Sequence, residues 1–360
     1  MNALSPTLRS GIAATLAVVA FALLVATSVT PAWLGGWGSL FLNALVPSQI
    51  VISLLWGCQH PARLAALAQP WRGLAFTALT LACGAVVGGV AWWTVGAGAP
   101  EPTPMVIMYL IWCVPVALWL VVVLQAWPLA RWIRSPLALG MVTVLTTHLL
   151  GWGLFRGLFD FGFLRDAPFY QAAQDPGGSF MAWLPLTVSL ISLVVILMLV
   201  LLDFWPVLAL LGWLRPGAAP AQPLFGAVSA AFIAAAVAGV WQLAIVWGGL
   251  DVVVFMTRWC VPAIFGIFIL LVMLEGVPTL QRPQPWRGLL LCAWAAVLAA
   301  AMSALYQQVG QLRFGLAGGA PPYALELWLA PSMLAITFPA MVTLGAYFQF
   351  WPLRRSAPKP

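Results

Sequence analysis

Charged side chains are scarce in this chain: 6% of its 360 residues are Asp, Glu, Lys or Arg, whereas 63% are hydrophobic. Soluble domains carry about 25% charged residues, so this composition excludes a water-soluble fold. Each ionisable group inside a bilayer costs several kcal/mol, so a membrane protein is expected to contain few of them. The 21 Trp residues fit a membrane protein too, because Trp concentrates at the two membrane–water interfaces. The lipid bilayer is therefore the predicted environment.

Motifs of catalysis and cofactor binding are also missing. The sequence contains no HExxH, no Walker A phosphate loop, no GxSxG elbow and no GxGxxG fingerprint. The two His residues, His60 and His148, are predicted near opposite ends of their helices, which disfavours a bis-His haem. The five Cys residues lie in or beside apolar runs without a CxxC pair, which excludes a disulfide framework. The sequence therefore supports no cofactor, no metal site, no nucleic-acid partner and no enzymatic activity.

Long apolar runs predict membrane helices, because about 20 residues of helix span a hydrocarbon core of about 30 Å. The sequence contains ten such runs, at about 10–30, 39–58, 72–95, 105–126, 137–155, 180–202, 224–247, 252–274, 287–306 and 327–350. The first run follows Arg9 and is long for a signal peptide, so we interpret it as a membrane helix. The predicted fold class is all-α, a polytopic integral membrane protein with about ten transmembrane helices.

Prolines flank successive pairs of these runs and predict five tandem helical hairpins in a single transmembrane domain, residues 1–360. The hairpin units cover about 5–61, 69–128, 135–206, 222–278 and 284–352. Proline suits the first turn of a helix and cannot continue the helix that precedes it. The sequence Gln-Pro-Trp-Arg-Gly occurs at 69–73 and again at 284–288, with a partial copy at Gln222-Pro223. An internal repeat and ordinary helix-boundary prolines both explain this pattern.

The basic residues predict the orientation of the chain. Eleven of the 15 Lys and Arg residues lie in the tails and between the hairpins, three lie on the opposite side, and Arg258 lies inside a helix. The positive-inside rule therefore places both termini in the cytoplasm. We interpret the membrane as a bacterial inner membrane.

Arg258 is the most informative candidate residue, because a charged group about two turns inside a membrane helix needs a partner or water. Asp251 faces the same way on that helix but lies two turns away, so an outer-loop acid or an anionic ligand are alternative partners. A substrate contact, snorkelling to the interface and a structural ion pair all remain open for Arg258. On the fifth helix, Thr147 and His148 are candidates for a polar path, although such residues also pack helix against helix.

The third external connection, residues 156–179, is long and interleaves aromatic with charged side chains. Loops of this length are usually functional or disordered, and the aromatic content disfavours disorder. We expect an ordered segment on the outer face, which acts as a lid or as a docking surface for a protein partner. Its Asp160 and Asp166 are further candidates for substrate binding.

A polar residue precedes the closing proline by three positions in four hairpins. These residues are Gln125, Asp203, Glu275 and Gln349, and Cys58 takes the same place in the first unit. A carboxylate at a helix C-terminus faces the negative end of the helix dipole, so Asp203 and Glu275 do not stabilise their own helices. We predict a belt of polar contacts to Arg residues of neighbouring connections, such as Arg72, Arg131, Arg134 or Arg287. A cation-entry ring is the alternative.

The ten spans, the echo between hairpins and the intramembrane Arg258 favour a transporter- or permease-like protein that handles an unidentified small solute. The alternative function is a non-catalytic membrane subunit that scaffolds or anchors a larger complex.

Overall fold

A computed structural model describes residues 6–216, 219–276, 281–319 and 321–354. In this part of the chain, ten helices are long and apolar enough to cross a membrane, which confirms the predicted architecture of a multi-pass membrane protein. We number them α1 Leu8–Ser28, α2 Pro31–Leu55, α3 Trp71–Thr94, α4 Pro104–Val123, α5 Pro136–Leu158, α6 Trp183–Leu201, α7 Leu224–Trp247, α8 Val252–Met273, α9 Trp286–Phe314 and α10 Ala324–Tyr347. The connections contain the short helices Ala62–Ala65, Leu129–Trp132 and Trp205–Leu214, and the paired strands Phe159–Asp160 and Phe180–Met181.

Two helices extend well beyond their apolar runs. Helix α2 begins at Pro31, where the Thr30 hydroxyl accepts a hydrogen bond from the Trp33 N–H at 3.2 Å. Helix α9 continues to Phe314, because Gln and Arg have high helix propensity although they are not apolar. It ends where Gly315 takes a left-handed conformation with φ +64°. Hydropathy therefore located the lipid-embedded part of these helices rather than their ends.

Burial divides the ten helices into two layers. Within an 18-residue apolar stretch of each helix, 67–72% of the residues are buried in the even-numbered helices and 22–39% in the odd-numbered ones. The even-numbered helices contact one another in the order α2, α4, α6, α8, α10 and back to α2, and they form a closed inner ring. Each odd-numbered helix lies outside this ring, in a groove between two inner helices: α1 on α8 and α10, α3 on α10 and α2, α5 on α2 and α4, α7 on α4 and α6, and α9 on α6 and α8.

The two helices of each predicted hairpin therefore pack mainly on other helices and not on each other. Helix α3, for example, packs much more extensively on α2 than on α4, its partner in the predicted hairpin. The arrangement as tandem hairpins stays a prediction about the chain's path. The packing unit is the closed ring, with an outer helix over each groove.

Small residues let the outer helices approach this ring closely. The buried positions of α5 form a single stripe, Gly140, Thr143, Thr147, Gly151 and Phe155. A Cβ atom on Gly151 would lie 2.8 Å from the Sγ atom of Cys113 in α4. The Thr147 hydroxyl donates to the carbonyl of Thr143 at 2.8 Å, one turn earlier in its own helix. In the structure, Thr147 thus serves helix packing.

We call the end of the bundle where α1 begins the basic end, and the opposite end the acidic end. At the basic end, Gln69, Gln222 and Gln284 immediately precede α3, α7 and α9 and make the same contacts. Each side-chain amide accepts a hydrogen bond from the glycine N–H four residues later. Each also donates to a carbonyl at the end of an inner helix, Tyr347 in α10, Val123 in α4 and Leu201 in α6, at 2.8, 3.0 and 3.1 Å. The Gln-Pro echo thus fastens outer helices to the ring.

The five inner helices all end in a turn with two successive left-handed residues. Such a turn pairs carbonyl groups that the helix leaves open, through a bond from the second residue's N–H to a carbonyl in the last turn of the helix. The first left-handed residues are Gly57, Gln125, Asp203, Glu275 and Gln349. The equivalent position in the first unit is therefore Gly57 and not Cys58, because an additional residue precedes Pro61. The regular spacing of the polar residues reflects this shared turn.

Candidate functional site

A cavity of about 760 Å³ lies at the acidic end of the inner ring. All five inner helices begin at this end, and each of them contributes to the wall. Representative lining residues are Trp37 of α2, Met108 of α4, Leu186 of α6, Met256 of α8 and Trp328 of α10. The wall is therefore mainly apolar and aromatic, as in most sites for small molecules.

Packed side chains close the cavity toward the basic end. Ile111 of α4 lines both the cavity and a void of only about 20 Å³ further along the ring. The other side chains around this void are apolar, except for Asn43, whose amide donates to the Ser39 carbonyl at 2.8 Å. Phe268 and Phe338 meet there edge to face, with ring centroids 4.6 Å apart. This apolar layer separates the cavity from the basic end.

An ion pair stands at the cavity wall. The Nη2 atom of Arg258 lies 2.5 Å from the Oε1 atom of Glu326, whose side chain is 0% exposed, against 27% for Arg258. Asp251, considered as the partner from the sequence, instead accepts hydrogen bonds from the Val254 N–H and the Tyr323 hydroxyl, both at 2.9 Å. The structure thus gives Arg258 a structural ion pair with an acid from another helix.

Local structure explains how the pair is accommodated. Arg258 lies in a π-helical turn of α8, Met256–Cys260, and such turns are frequent at functional sites. Glu326 lies in the first turn of α10, where the helix dipole favours a carboxylate. The Gly319 N–H donates to Glu326 Oε1 at 3.1 Å. A Cβ atom on Gly318 would lie 1.8 Å from Arg258 Nη2, so a glycine is needed where the guanidinium packs.

Two polar atoms of the cavity-lining residues have no hydrogen-bond partner among the described residues. They are Oε2 of Glu326 and Nε1 of Trp328, and both are buried. An unpaired buried polar group costs about 1–3 kcal/mol, so a ligand or water that completes these bonds is favoured. The two atoms offer one acceptor and one donor. Because Arg258 neutralises Glu326 and the exposed Glu101 also lines the cavity, the site suits a neutral polar group better than an anion.

The third external connection folds over the acidic end. Phe159 and Phe161 are fully buried, and Phe169 lines the cavity. The Asp175 carboxylate accepts hydrogen bonds from the Phe161 N–H at 3.1 Å and the Tyr170 hydroxyl at 2.9 Å. The segment is therefore ordered through its own side chains, and Phe169 places it at the cavity.

The other substrate-binding candidates lie away from the cavity. Asp160 accepts a hydrogen bond from the Gly162 N–H at 3.0 Å and is part of the loop structure, and Asp166 is exposed. His148 has both ring nitrogens buried, with no partner among the described residues. Its carbonyl accepts a hydrogen bond from the Tyr109 hydroxyl at 3.2 Å. Neither these residues nor Thr147 lines the cavity.

The residues of the predicted polar belt lie at the basic end, and two of them contact Arg. Asp203 pairs with Arg287 and accepts a hydrogen bond from Gln284 at 3.0 Å. Glu275 pairs with Arg354 at 2.8 Å. Gln125 is exposed, and Gln349 lines a shallow polar pit. The contacts of Asp203 and Glu275 are of the kind that the belt hypothesis expects.

Sequence reasoning missed Glu326 as a site residue. It directly precedes the tenth apolar run. An acid at the edge of a membrane helix, without a nearby basic residue in sequence, was the available signal.

Comparisons of the chain with family models, with curated proteins and with solved structures found no match. Within the described ranges, no group of three or more His, Cys, Asp or Glu residues is placed to hold a metal ion. The functional argument therefore rests on the cavity and its ion pair.

Proposed function

We propose that this multi-pass membrane protein is a transporter- or permease-like protein of a bacterial inner membrane, and that its solute binds in the central cavity. The proposal rests on one observation: Glu326 and Trp328, which line a cavity to which all five inner helices contribute, each carry a buried polar atom without a partner among the described residues. Both termini are cytoplasmic in this proposal, so that the cavity faces the outside.

The lining indicates the class of solute. Aromatic and aliphatic side chains form most of the wall, Arg258 balances the charge of Glu326, and the exposed Glu101 is a second acid of the lining. We therefore expect a small, mainly apolar solute that carries no negative charge and has one polar group able to donate and accept a hydrogen bond. A hydroxyl or amide group meets this requirement.

Irregular helix geometry supports a change between two states. Helices α8 and α10 both contain π-helical turns next to the cavity, Met256–Cys260 and Pro331–Thr337. Broken or irregular helices are tolerated in membranes where they line a cavity, and transporters bind their substrates at such segments. In a transport cycle, the apolar layer below Ile111 would open while the acidic end closes.

Cysteine accessibility tests this proposal. Ile111→Cys, in a variant whose five native Cys residues are replaced by Ser or Ala, places a thiol between the cavity and the closed layer. A membrane-impermeant maleimide should label it from the outside and, in inverted vesicles, also from the cytoplasmic side. Met198→Cys, on the lipid-exposed surface of α6, is the control that should resist labelling from either side.

A scaffold subunit is the alternative function. Large aromatic side chains of the third external connection remain exposed, with Phe163 at 39% and Phe169 at 41%, and they suit a protein partner. A scaffold does not need to open its inner ring. Labelling of Ile111→Cys from the outside alone would therefore reject the transporter and favour the scaffold.

A further inference from the structure

Two arginines occupy the same place in the two copies of the Gln-Pro-Trp-Arg-Gly sequence. Arg287 follows Gln284, whose amide bonds the Leu201 carbonyl, and Arg72 follows Gln69, whose amide bonds the Tyr347 carbonyl. The residue two positions after each carbonyl is the first left-handed residue of the closing turn. That residue is Asp203 beside Arg287 and Gln349 beside Arg72.

The two arginines differ in what balances their charge. Arg287 forms an ion pair with Asp203. Arg72 has the neutral Gln349 at the equivalent position, and its Nη2 atom donates to the Cys58 carbonyl at 2.9 Å. The Nε atom of Arg72 is buried and has no acceptor among the described residues. The Nε atom of Arg287 also has no acceptor among the described residues, so the two arginines differ in charge balance: Arg287 has an acid beside it and Arg72 does not.

Arg72 lines a polar pit of about 360 Å³ at the basic end, together with Cys58, Glu275, Gln349 and Arg354. Glu275 does not balance Arg72, because it pairs with Arg354 at 2.8 Å. Cys58 does not balance it either. Burial raises the pKa of this thiol to about 11, even though the charge of Arg72 acts in the opposite direction, so the thiol is uncharged near neutral pH. The pit therefore carries one positive charge that its own side chains leave unbalanced.

We propose that this pit binds the phosphate of an anionic phospholipid headgroup. A guanidinium matches the geometry of a phosphate and donates to two of its oxygens. The pit lies in the layer where headgroups are found: Trp71, next to Arg72 at the start of α3, is 66% exposed, and Trp favours the membrane interface. Basic pockets between membrane helices are known to recognise anionic lipids. This site is independent of the proposed transport function.

Native mass spectrometry of the full-length protein, titrated with phosphatidylglycerol or phosphatidylcholine in detergent, tests the proposal. We expect the wild-type chain to retain one phosphatidylglycerol more than Arg72→Gln, and phosphatidylcholine to show no such difference. Gln349→Asp should lose the same lipid although Arg72 is still present, because the new carboxylate would pair with Arg72 as Asp203 pairs with Arg287. Trp132→Gln, at an exposed Trp in the next connection at this end, is a control that should bind as the wild type does.

Equal retention of phosphatidylglycerol by the wild type and by folded Gln349→Asp would overturn the proposal. The source of the phosphate is tested separately, with inorganic phosphate as the probe. Stabilisation of the wild type, but not of Arg72→Gln, by inorganic phosphate without any preference for phosphatidylglycerol would assign the pit to a soluble phosphate compound and reject the lipid.

Discussion

Glu326 is the residue on which the cavity depends most. Its carboxylate has no exposed surface, and moving an ionised group out of water costs several kcal/mol even after the protein relaxes. Arg258 and the Gly319 N–H offset part of this cost through one oxygen. The other oxygen is left without a partner among the described residues. Apolar residues would fill the same space at less cost, and in the proposed function the solute supplies the partner that this oxygen lacks.

The two halves of this pair should not be equivalent on mutation. Arg258→Met leaves Glu326 buried without its cation, and breaking such a pair costs about 3–5 kcal/mol. Glu326→Gln should cost less, because Arg258 is 27% exposed and its guanidinium can turn toward water. The double variant Arg258→Met, Glu326→Met should recover most of the loss. Thermal melting in detergent measures all three, with Asp251→Asn, an exposed acid in the same helix, as control. A melting temperature of Arg258→Met equal to that of the wild type would show that the pair is solvated.

At the scale of the element, we expect half-buried amides to contribute more than exposed charges to the attachment of the outer helices. The carboxyl side chains of Asp203 and Glu275 are 56% and 43% exposed, and exposed ion pairs contribute about 0–1 kcal/mol. Gln284, in contrast, bonds the half-buried Gly288 N–H and the Leu201 carbonyl, at 3.0 and 3.1 Å. A polar group that loses its partner when buried costs about 1–3 kcal/mol.

We therefore expect Gln284→Leu to lower thermal stability clearly more than Asp203→Asn or Glu275→Gln. Melting temperatures in detergent provide the comparison, and Gln281→Leu, at an exposed position before the same helix, controls for added hydrophobicity. If Asp203→Asn lowered the melting temperature as much as Gln284→Leu does, the ion pairs would be the main contribution of the polar belt to stability. If the two acid variants instead kept their stability but changed the dependence of transport on cations, the cation-entry ring would be favoured.

The whole molecule is a closed ring of five inner helices with five helices outside it, and this arrangement requires every helix to cross the membrane. Both termini must then lie on one side. The eleven basic residues assigned to that end predict that it is cytoplasmic. Topology is therefore a prediction about all ten spans together.

Reporter fusions test this topology directly. Fusions after Gly177 and Gly319 should report the periplasm, and fusions after Pro216 and Pro283 should report the cytoplasm. An alkaline phosphatase reporter and a fluorescent-protein reporter at each site give opposite readouts, and each serves as a control for the other. A single reversed site among the four would break the alternation of spans on which the closed ring depends.

The number and approximate position of the spans could be predicted because lipid leaves a chain few options. Backbone groups in hydrocarbon must pair within their own helix, so the length of an apolar run predicts a span without knowledge of its neighbours.

The division into layers also left a trace in the sequence. Four inner helices carry a proline in their interior, Pro47, Pro115, Pro262 and Pro339, whereas the outer helices have none after the first turn. Neighbouring helices can supply partners for the backbone groups that a proline leaves unpaired, and an inner helix has more neighbours than an outer helix.

The sequence by itself therefore determined a multi-pass α-helical membrane protein, and it directed attention to Arg258. Only the tertiary structure decided which helices form the ring, that Arg258 meets Glu326 and not Asp251, and that Arg72 lacks the acid its counterpart has. The physical reason is that apolarity is a property of each helix alone and does not separate the inner helices from the outer ones, because the two sets overlap in apolarity. The choice of neighbours depends on close packing between side chains far apart in the chain, such as Gly318 against the Arg258 guanidinium, and no local pattern contains that information.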